Sequence, residues 1–491
     1  MAATSIAGVL SLVAGLLLLP LVFASVGSGA YGVWVVLFTI AALSQYSDLG
    51  VGTAIIYFSS RSRAGAHGDA SRFVSAGLLW NGVASIAILP LFAIGASMYV
   101  VSEGVQAVLR HGEGPALVAL ATVSLLALAF KPFEAALIGS GLLPLDQRNR
   151  LLATTFRILG TAAVCAWVPQ ITAVALVETI AVLLPGALAI VQCLRRDVAR
   201  VRFRVDALET LREMLHYSVK AFGTNVAGAI TLQMGPALAG IFLGPHYASY
   251  YSAAFRVYTA ARQVLTWLIE PFRSAFSQQF ARDRTAALTH MFTLSAIVAA
   301  VAIAGSALGE IWSVPLVEAW LGSDVPTNEI AAVLAVLLSG LSLNSLYLPM
   351  AMAADADGRP GMFFRSNLVW LLSNAVLVWV LVGRFGMLGL ALALSLPLVL
   401  IVPMNIVRAR SEMEFGITNW WRQAVWPAVL AVGFPAVLGV VVFEAVSQFD
   451  DGTVGNVAGT ATMVVASVAV ILVLRGRLHI QDVVALLRST L

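Results

Sequence analysis

The sequence predicts an all-α, polytopic membrane protein of about 14 transmembrane helices, arranged as two pseudo-symmetric six-helix lobes plus two C-terminal helices. Three observations predict it. Of the 491 residues, 60% are hydrophobic and 11% are charged, against roughly 45–50% and 25% in soluble domains, and the mean hydropathy is +0.91. Apolar stretches long enough to cross a bilayer, about 20 residues each, recur along the whole chain. Basic residues collect in every second interval between them. No polar interval exceeds about 25 residues, which leaves no room for a soluble catalytic domain, an ATPase cassette or an extracellular receptor module.

Apolar stretches bounded by charged or Gly/Pro breaks place the first six spans at about 2–25, 31–58, 73–100, 115–141, 151–168 and 171–193, forming a first lobe over 1–193. Span one has no basic region before its apolar run, so it reads as a membrane helix and not as a cleaved signal peptide. The segment 194–217 holds the densest basic cluster, Arg195, Arg196, Arg200, Arg202, Arg204 and Arg212, and reads as a cytoplasmic linker. A second lobe over 218–410 follows, with spans at about 218–243, 248–271, 287–312, 329–353, 362–382 and 387–407. Region 411–474 adds two spans, at about 424–445 and 454–474. In the tail, 475–491, Ile480, Val483, Val484 and Leu487 share one face of an amphipathic helix suited to the membrane interface.

Charge placement tests this map. With the N-terminus inside, the cytoplasmic side collects Arg61, Arg63, Arg72, Arg148, Arg150, the linker cluster with Lys220, Arg273, Arg282, Arg284, Arg359, Arg365, Arg408, Arg410, Arg422, Arg475, Arg477 and Arg488. The outer loops hold Arg110 and Arg384 beside Glu103, Glu113, Glu318, Asp324, Glu444, Asp450 and Asp451. A wrong span count would shuffle these sets, so the asymmetry puts both termini in the cytoplasm. The net charge of +4 therefore sets topology, and no nucleic-acid partner is expected. Cys165 and Cys193 lack ligand spacing and the histidines are scattered, so neither a metal nor any other cofactor is indicated. A coupling ion is left unidentified.

The hairpin Val26–Trp34 has an echo six spans later in Leu243–Tyr251, both short Gly-plus-Tyr turns opening an outward-to-inward helix. Such an echo fits a parallel repeat, and transporter sites lie at repeat interfaces.

The pattern Gly27-x-x-x-Tyr31-Gly32-x-Trp34, followed by Ser47-Asp48-Leu49-Gly50 and Ala54, resembles the Wzx-type polysaccharide transporters of the MOP exporter superfamily. Tyr250-Tyr251-Ser252-Ala253-Ala254 and Pro271 in span eight are loosely similar too. The resemblance implies a two-lobed flippase in a bacterial or archaeal cytoplasmic membrane, alternating between inward-open and outward-open states. Its implied substrate is a lipid-linked oligosaccharide, and its implied partners are membrane lipids and polysaccharide polymerase machinery. Span seven has Gln233-Met234 where similar sequences often carry an acidic residue, so an ion-coupling role does not transfer there.

A charge within a span costs several kcal/mol, roughly 2.5–3.5 on insertion scales, so each should face a cavity or a partner. Lys131 and Glu134 stand three residues apart across Pro132 and read either as a self-satisfied pair or as a cavity cation with its releasing partner. Arg157 either snorkels to the surface or lines the cavity. Arg256 and Arg262 fall on span eight, the second near mid-membrane, and a fixed guanidinium fork there suits phosphate oxygens. Glu270 is an alternative partner for them. Asp48 either caps a broken helix, bridges to Lys131 or Arg157, or serves gating or ion coupling. Glu178 reads as an interhelical hydrogen-bond partner. Lys131, Arg157, Arg256 and Arg262 are thus the candidate substrate-binding cations, with Asp48 and Glu134 the candidates for gating.

Other functions remain in view: a lipid II-type flippase, a MATE-like small-molecule exporter, and a membrane glycosyltransferase. The last is disfavoured because no Walker, HExxH or suitably placed GxSxG motif occurs.

Overall fold

The computed structural model describes residues 2–63, 71–196, 198, 207–359, 361–448 and 453–474. Part of the expected linker (199–206), Asp450 with Asp451, and the expected amphipathic tail lie outside these residues. Packing divides the chain into two compact units, Met1–Ser252 and Ala253–Leu491. The expected lobes part at the segment 194–217, whereas the packed units part within the eighth span. Helix is the only regular structure among the described residues, as a bilayer-spanning backbone outside a closed barrel requires.

The first unit contains α1 (Ala2–Val26), α2 (Ser28–Leu43), α3 (Val51–Arg63), α4 (Ser71–Val101), α5 (Glu103–Gln106), α6 (Glu113–Ser124), α7 (Ala127–Gly139), α8 (Leu143–Trp167), α9 (Ile171–Arg195), α10 (Ala207–Gln233), α11 (Gly235–Phe242) and the opening turns of α12 (Pro245–Ile269). The second half of the expected linker is therefore helix, because α10 starts at Ala207. Helices α3, α4, α7, α9 and α10 enclose a core that includes Val51, Ile55, Phe58, Phe73, Phe133, Leu137, Cys193 and Met214. Phe58 and Phe73 stack at 4.7 Å. Lipid is as apolar as leucine, so such helices gain their cohesion from close approach. Gly139 supplies it on α7, where an added Cβ would meet the Ile56 carbonyl at 3.1 Å and Ser59 Cβ at 2.8 Å.

The second unit holds the remainder of α12, then α13 (Phe272–Arg282), α14 (Arg284–Leu321), α15 (Thr327–Ser345), α16 (Leu348–Ala356), α17 (Phe364–Ser395), α18 (Leu398–Met413), α19 (Ile417–Trp420), α20 (Trp426–Ala428), α21 (Phe434–Ser447) and α22 (Thr453–Leu474). Asp283 caps α14, its carboxylate accepting from Ala286 N at 3.0 Å. Gly386, at φ 55 and ψ −131, divides the apolar run of α17 where two spans were expected; a side chain would clash in that backbone region. Wide π-turns at Trp421–Val425 and Val429–Gly433 lie next to Pro427 and Pro435, whose missing N–H groups interrupt the α ladder. Helices α21 and α22 cross at glycine, with a Cβ on Gly439 falling 2.7 Å from the Gly459 carbonyl.

Nine helical stretches among the described residues are long and apolar enough to cross a membrane alone. One of them, Phe364–Met413, contains the Gly386 break and covers two expected spans. The remaining expected spans fall on α1, whose apolar stretch is short, and on α8, α10–α11 and α12. The α8, α10 and α12 spans carry internal charge, including Arg157, Lys220, Arg256 and Arg262.

The parallel repeat is present in detail. Positive-φ glycines at 27 and 244, and again at 141 and 358, stand 217 residues apart. Pro132 and Pro349 keep the same interval, as do the starts of α2 and α12 and the ends of α7 and α16.

Candidate functional site

Span two does not run straight. After α2 the chain tightens into a 3-10 turn, Ser44–Asp48, and then passes through Leu49 at φ 47 and Gly50 at φ 79 before α3 begins. A leucine in left-handed backbone is strained by roughly 1–2 kcal/mol, and it also frees carbonyls that a helix would bond. In a membrane each freed carbonyl needs a donor, and side chains on α4, α7 and α10 supply them. Lys131 Nζ on α7 donates to Gln45 O at 2.5 Å. Trp80 Nε1 on α4 donates to Ser47 O at 3.1 Å, and Ser218 Oγ on α10 donates to Gly50 O at 3.0 Å. Gln233 Nε2, at the end of α10, donates to the Tyr46 hydroxyl at 2.7 Å.

Asp48 is buried at the centre of this break. Its Oδ1 accepts from Gly50 N at 3.0 Å, and its Oδ2 lies 3.6 Å from Lys131 Nζ. The carboxylate thus closes the turn and faces the ammonium at once. The expected pairing of Lys131 with Glu134 is not what the fold makes. Glu134 Oε2 accepts from Arg150 Nη2 at 2.7 Å, because α8 returns beside α7 and brings Arg150 within reach, while Lys131 is taken up by the break in span two. Arg150 Nε also donates to Asp146 at 2.9 Å. Asp146, whose side chain is 2% exposed, was not singled out from sequence, where it reads as one charge in a polar loop. Arg157 Nη1 lies 3.9 Å from Glu178 Oε2 across α8 and α9, both half-buried, and its Nε is buried without a hydrogen-bond partner.

At the other end of the first unit the two echoing hairpins meet each other. Ser249 Oγ donates to Ser28 O at 2.5 Å, and Ser28 Oγ lies 2.9 Å from His246 Nδ1 and 3.2 Å from the Tyr250 hydroxyl. Gly32 packs on the Pro245 carbonyl, which a Cβ would overlap.

In the second unit Arg256 and Arg262 are half-buried on α12. Arg262 lies beside the buried Tyr258 and Tyr347, and its Nη1 is buried without a hydrogen-bond partner. Glu270 is not its counterion; Arg273 takes that carboxylate at 3.0 Å. Arg273 reaches on to Asp355 at 3.4 Å, and Asp357 stands 3.3 Å from both Arg284 and Arg359. Arg359 in turn contacts Glu412, which lies 3.8 Å from Arg408. Cations assigned to one membrane side by sequence therefore meet in two clusters of ion pairs, one around Arg273 and one around Asp357 and Glu412.

Two apolar clefts open against α14 of this unit. One, of about 560 Å³, lies among α14, α15 and the α20–α21 region, with Glu310, Ser306 and Ser342 among otherwise mostly apolar walls. The other, of about 520 Å³, lies among α12, α14 and α15 and is lined by Val257, Leu265, Trp312 and Leu338 among others.

No family model matches the chain, and no curated protein matches its sequence. In fold it is similar to solved structures. The lipid II flippase MurJ in an inward closed conformation superposes over 98% of this chain and 100% of its own, at TM-score 0.74 and 14% identity. An inward-facing multidrug resistance MATE family transporter of the MOP superfamily covers 82% of this chain and 94% of its own, at TM-score 0.68 and 11% identity. A MOP superfamily transporter from Pyrococcus furiosus, described by the reverse polarity of its binding pocket, gives TM-score 0.53 and 14% identity, over 82% of this chain and 95% of its own. The chain is an all-α, multi-pass membrane protein with the fold of these transporters.

Proposed function

We propose that this protein is a flippase that moves a lipid-diphosphate-linked oligosaccharide, a polysaccharide repeat unit, across the cytoplasmic membrane by alternating access. The observation that carries the reading is Arg262, a permanently charged guanidinium near mid-span with one buried N–H group unpartnered. An unmatched donor of that kind is costly in an apolar setting unless a ligand meets it, and phosphate oxygens match its geometry. Arg256 adds positive charge on the same helix, and Lys131 and Arg157 stand within spans facing the carboxylates of Asp48 and Glu178. The apolar clefts against α14 have the chemistry to hold hydrocarbon while the charged headgroup is engaged elsewhere. Transport, and not catalysis, is the work this arrangement supports.

A lipid II-type substrate is the second reading, favoured by the likeness to MurJ over the whole of both chains. The multidrug MATE likeness covers less of this chain, which ranks small-molecule export below both.

Depletion of the protein followed by profiling of lipid-linked sugars separates the readings. Accumulation of an undecorated repeat unit supports the first, and accumulation of peptidoglycan precursor the second. Complementation at matched expression tests the cations. Arg256→Lys and Arg262→Lys should lose most transport, since a lysine keeps the charge but not the fork. If alanine at Lys131, Arg157, Arg256 and Arg262 each leaves export at the parent rate, a role for these cations in transport is refuted.

A further inference from the structure

The break in span two has the composition of a cation site. Discontinuous helices in transporters offer unwound carbonyls and a half-helix C-terminus to small cations. Here the 3-10 turn that follows α2 presents the Gln45 carbonyl, and Asp48 adds a carboxylate. The group that occupies the position belongs to the protein: Lys131 Nζ, 2.5 Å from Gln45 O and 3.6 Å from Asp48 Oδ2.

The internal repeat provides a control within the same chain. At the interval of 217 residues, Asp48 corresponds to Leu265 and Lys131 to Leu348. Both charges are replaced together, and there α12 runs unbroken through Leu265 to Ile269. Gly50, whose positive φ permits the break, corresponds to Trp267. The Asp48 carboxylate and the Lys131 ammonium are thus present together in one repeat and absent together from the matching positions of the other, where the helix turns instead at Glu270 and Pro271, between α12 and α13.

We infer that the span-two break is a monovalent-cation site that the protein fills with its own ammonium, so that Lys131 does there what a bound sodium ion or small amine would do. The ammonium satisfies the Gln45 carbonyl and balances Asp48 without drawing an ion from solution. This inference goes beyond the flippase reading and does not depend on which substrate is moved. Removing the side-chain amine exposes a site for an external small cation, with Gln45 O and Asp48 Oδ2 as its ligands.

The test is a binding measurement on purified full-length protein. Melting temperature is followed at constant ionic strength while choline chloride is replaced by methylammonium or sodium chloride. The parent protein should be indifferent to the exchange. Lys131→Ala should be stabilised by methylammonium or sodium, with equal increments of melting temperature for each tenfold rise above half-saturation. Lys131→Ala combined with Asp48→Asn should lose that response. A Lys131→Ala protein that responds no more than the parent overturns the inference, as does a double variant that still responds fully.

A second measurement covers the case in which Lys131→Ala does not fold. The chain contains two lysines, Lys131 and Lys220, so carbon-13 reductive methylation of the folded parent marks few sites. The Lys131 methyl resonance should shift in Asp48→Asn while the Lys220 resonance stays in place. An unmoved Lys131 resonance overturns the inference. Because neither readout involves transport, failure here leaves the flippase reading standing, and failure of complementation leaves this one standing.

Discussion

Single residues show what a membrane protein writes openly and what it leaves to packing. The sequence marks Gly27, Tyr31, Gly32 and Trp34 as a pattern, and the structure supplies a reason for one of its members: the Pro245 carbonyl rests where a Cβ on residue 32 would be. That contact joins positions more than 200 residues apart in the chain, so no local rule reveals it. Gly32→Ala should therefore force the two hairpins apart at a cost of about 1–3 kcal/mol. Oxidative cross-linking of Ser28→Cys to Ser249→Cys, at positions joined by the Ser249 hydroxyl donating to the Ser28 carbonyl at 2.5 Å, reads the separation. The yield should drop in the Gly32→Ala background, and an unchanged yield with an unchanged melting temperature refutes the steric argument. Asp48 was legible as a charge before glycines, hence as a cap, because that signal is local. Glu134 was not, since its partner Arg150 arrives only when α8 folds back on α7.

Helices carry a second asymmetry, at the ends the charge pattern assigns to the cytoplasm. In the first unit α3, α4 and α7 meet there mainly through aromatic and aliphatic side chains such as Phe58, Phe73 and Phe133, with ion pairs of Arg150 to Glu134 and Asp146 and of Arg72 to Glu213 beside them. In the second, the ends of α13, α14, α16 and α18 are tied by ion pairs. Exposed ion pairs are weak singly, about 0.2–1 kcal/mol, and are screened by salt. Asp355, in the last turn of α16, is the sensitive member. Burial holds its carboxyl above the ordinary 3.8, the neighbouring Arg273 pulling the other way and Glu270 adding to the rise. A carboxyl that keeps its proton longer in the folded protein than in the unfolded chain contributes most stability at low pH. That contribution is lost as pH climbs from about 3.8 through the raised value. Asp355→Asn should flatten this part of the pH–stability curve, measured by thermal unfolding in detergent between about pH 4 and 7. A variant with the parent's slope would show that another group titrates there.

Across the whole molecule, the passes were legible because twenty apolar residues leave a plain trace in composition, whereas the charges within them were legible only as anomalies. Their partners come from helices distant in sequence, and the two repeats do not copy them: Lys131 stands against Leu348, and Arg262 against Gln45. A shared backbone plan with unshared charges explains why the hairpin echo was visible while the rest of the repeat was not. The backbone features that keep the interval are mainly glycine and proline geometry, which survives large changes of side chain. The final pair of helices gives the sharpest test of the map. Helices α21 and α22 pack on each other through Gly439 and Gly459, and Trp312 Nε1 on α14 donates to Thr460 Oγ1 at 2.8 Å, so α22 is held into the second unit and not left on a membrane surface. Two membrane-crossing helices in sequence reverse sidedness once between them and restore it after the second. A reporter fused after Gly452 should therefore read as external and one fused after Leu491 as cytoplasmic, in agreement with Arg422, Arg475 and Arg477 on one side and Glu444, Asp450 and Asp451 on the other. The same sidedness at both positions would mean that α22 does not cross, and would remove the last span from the fourteen.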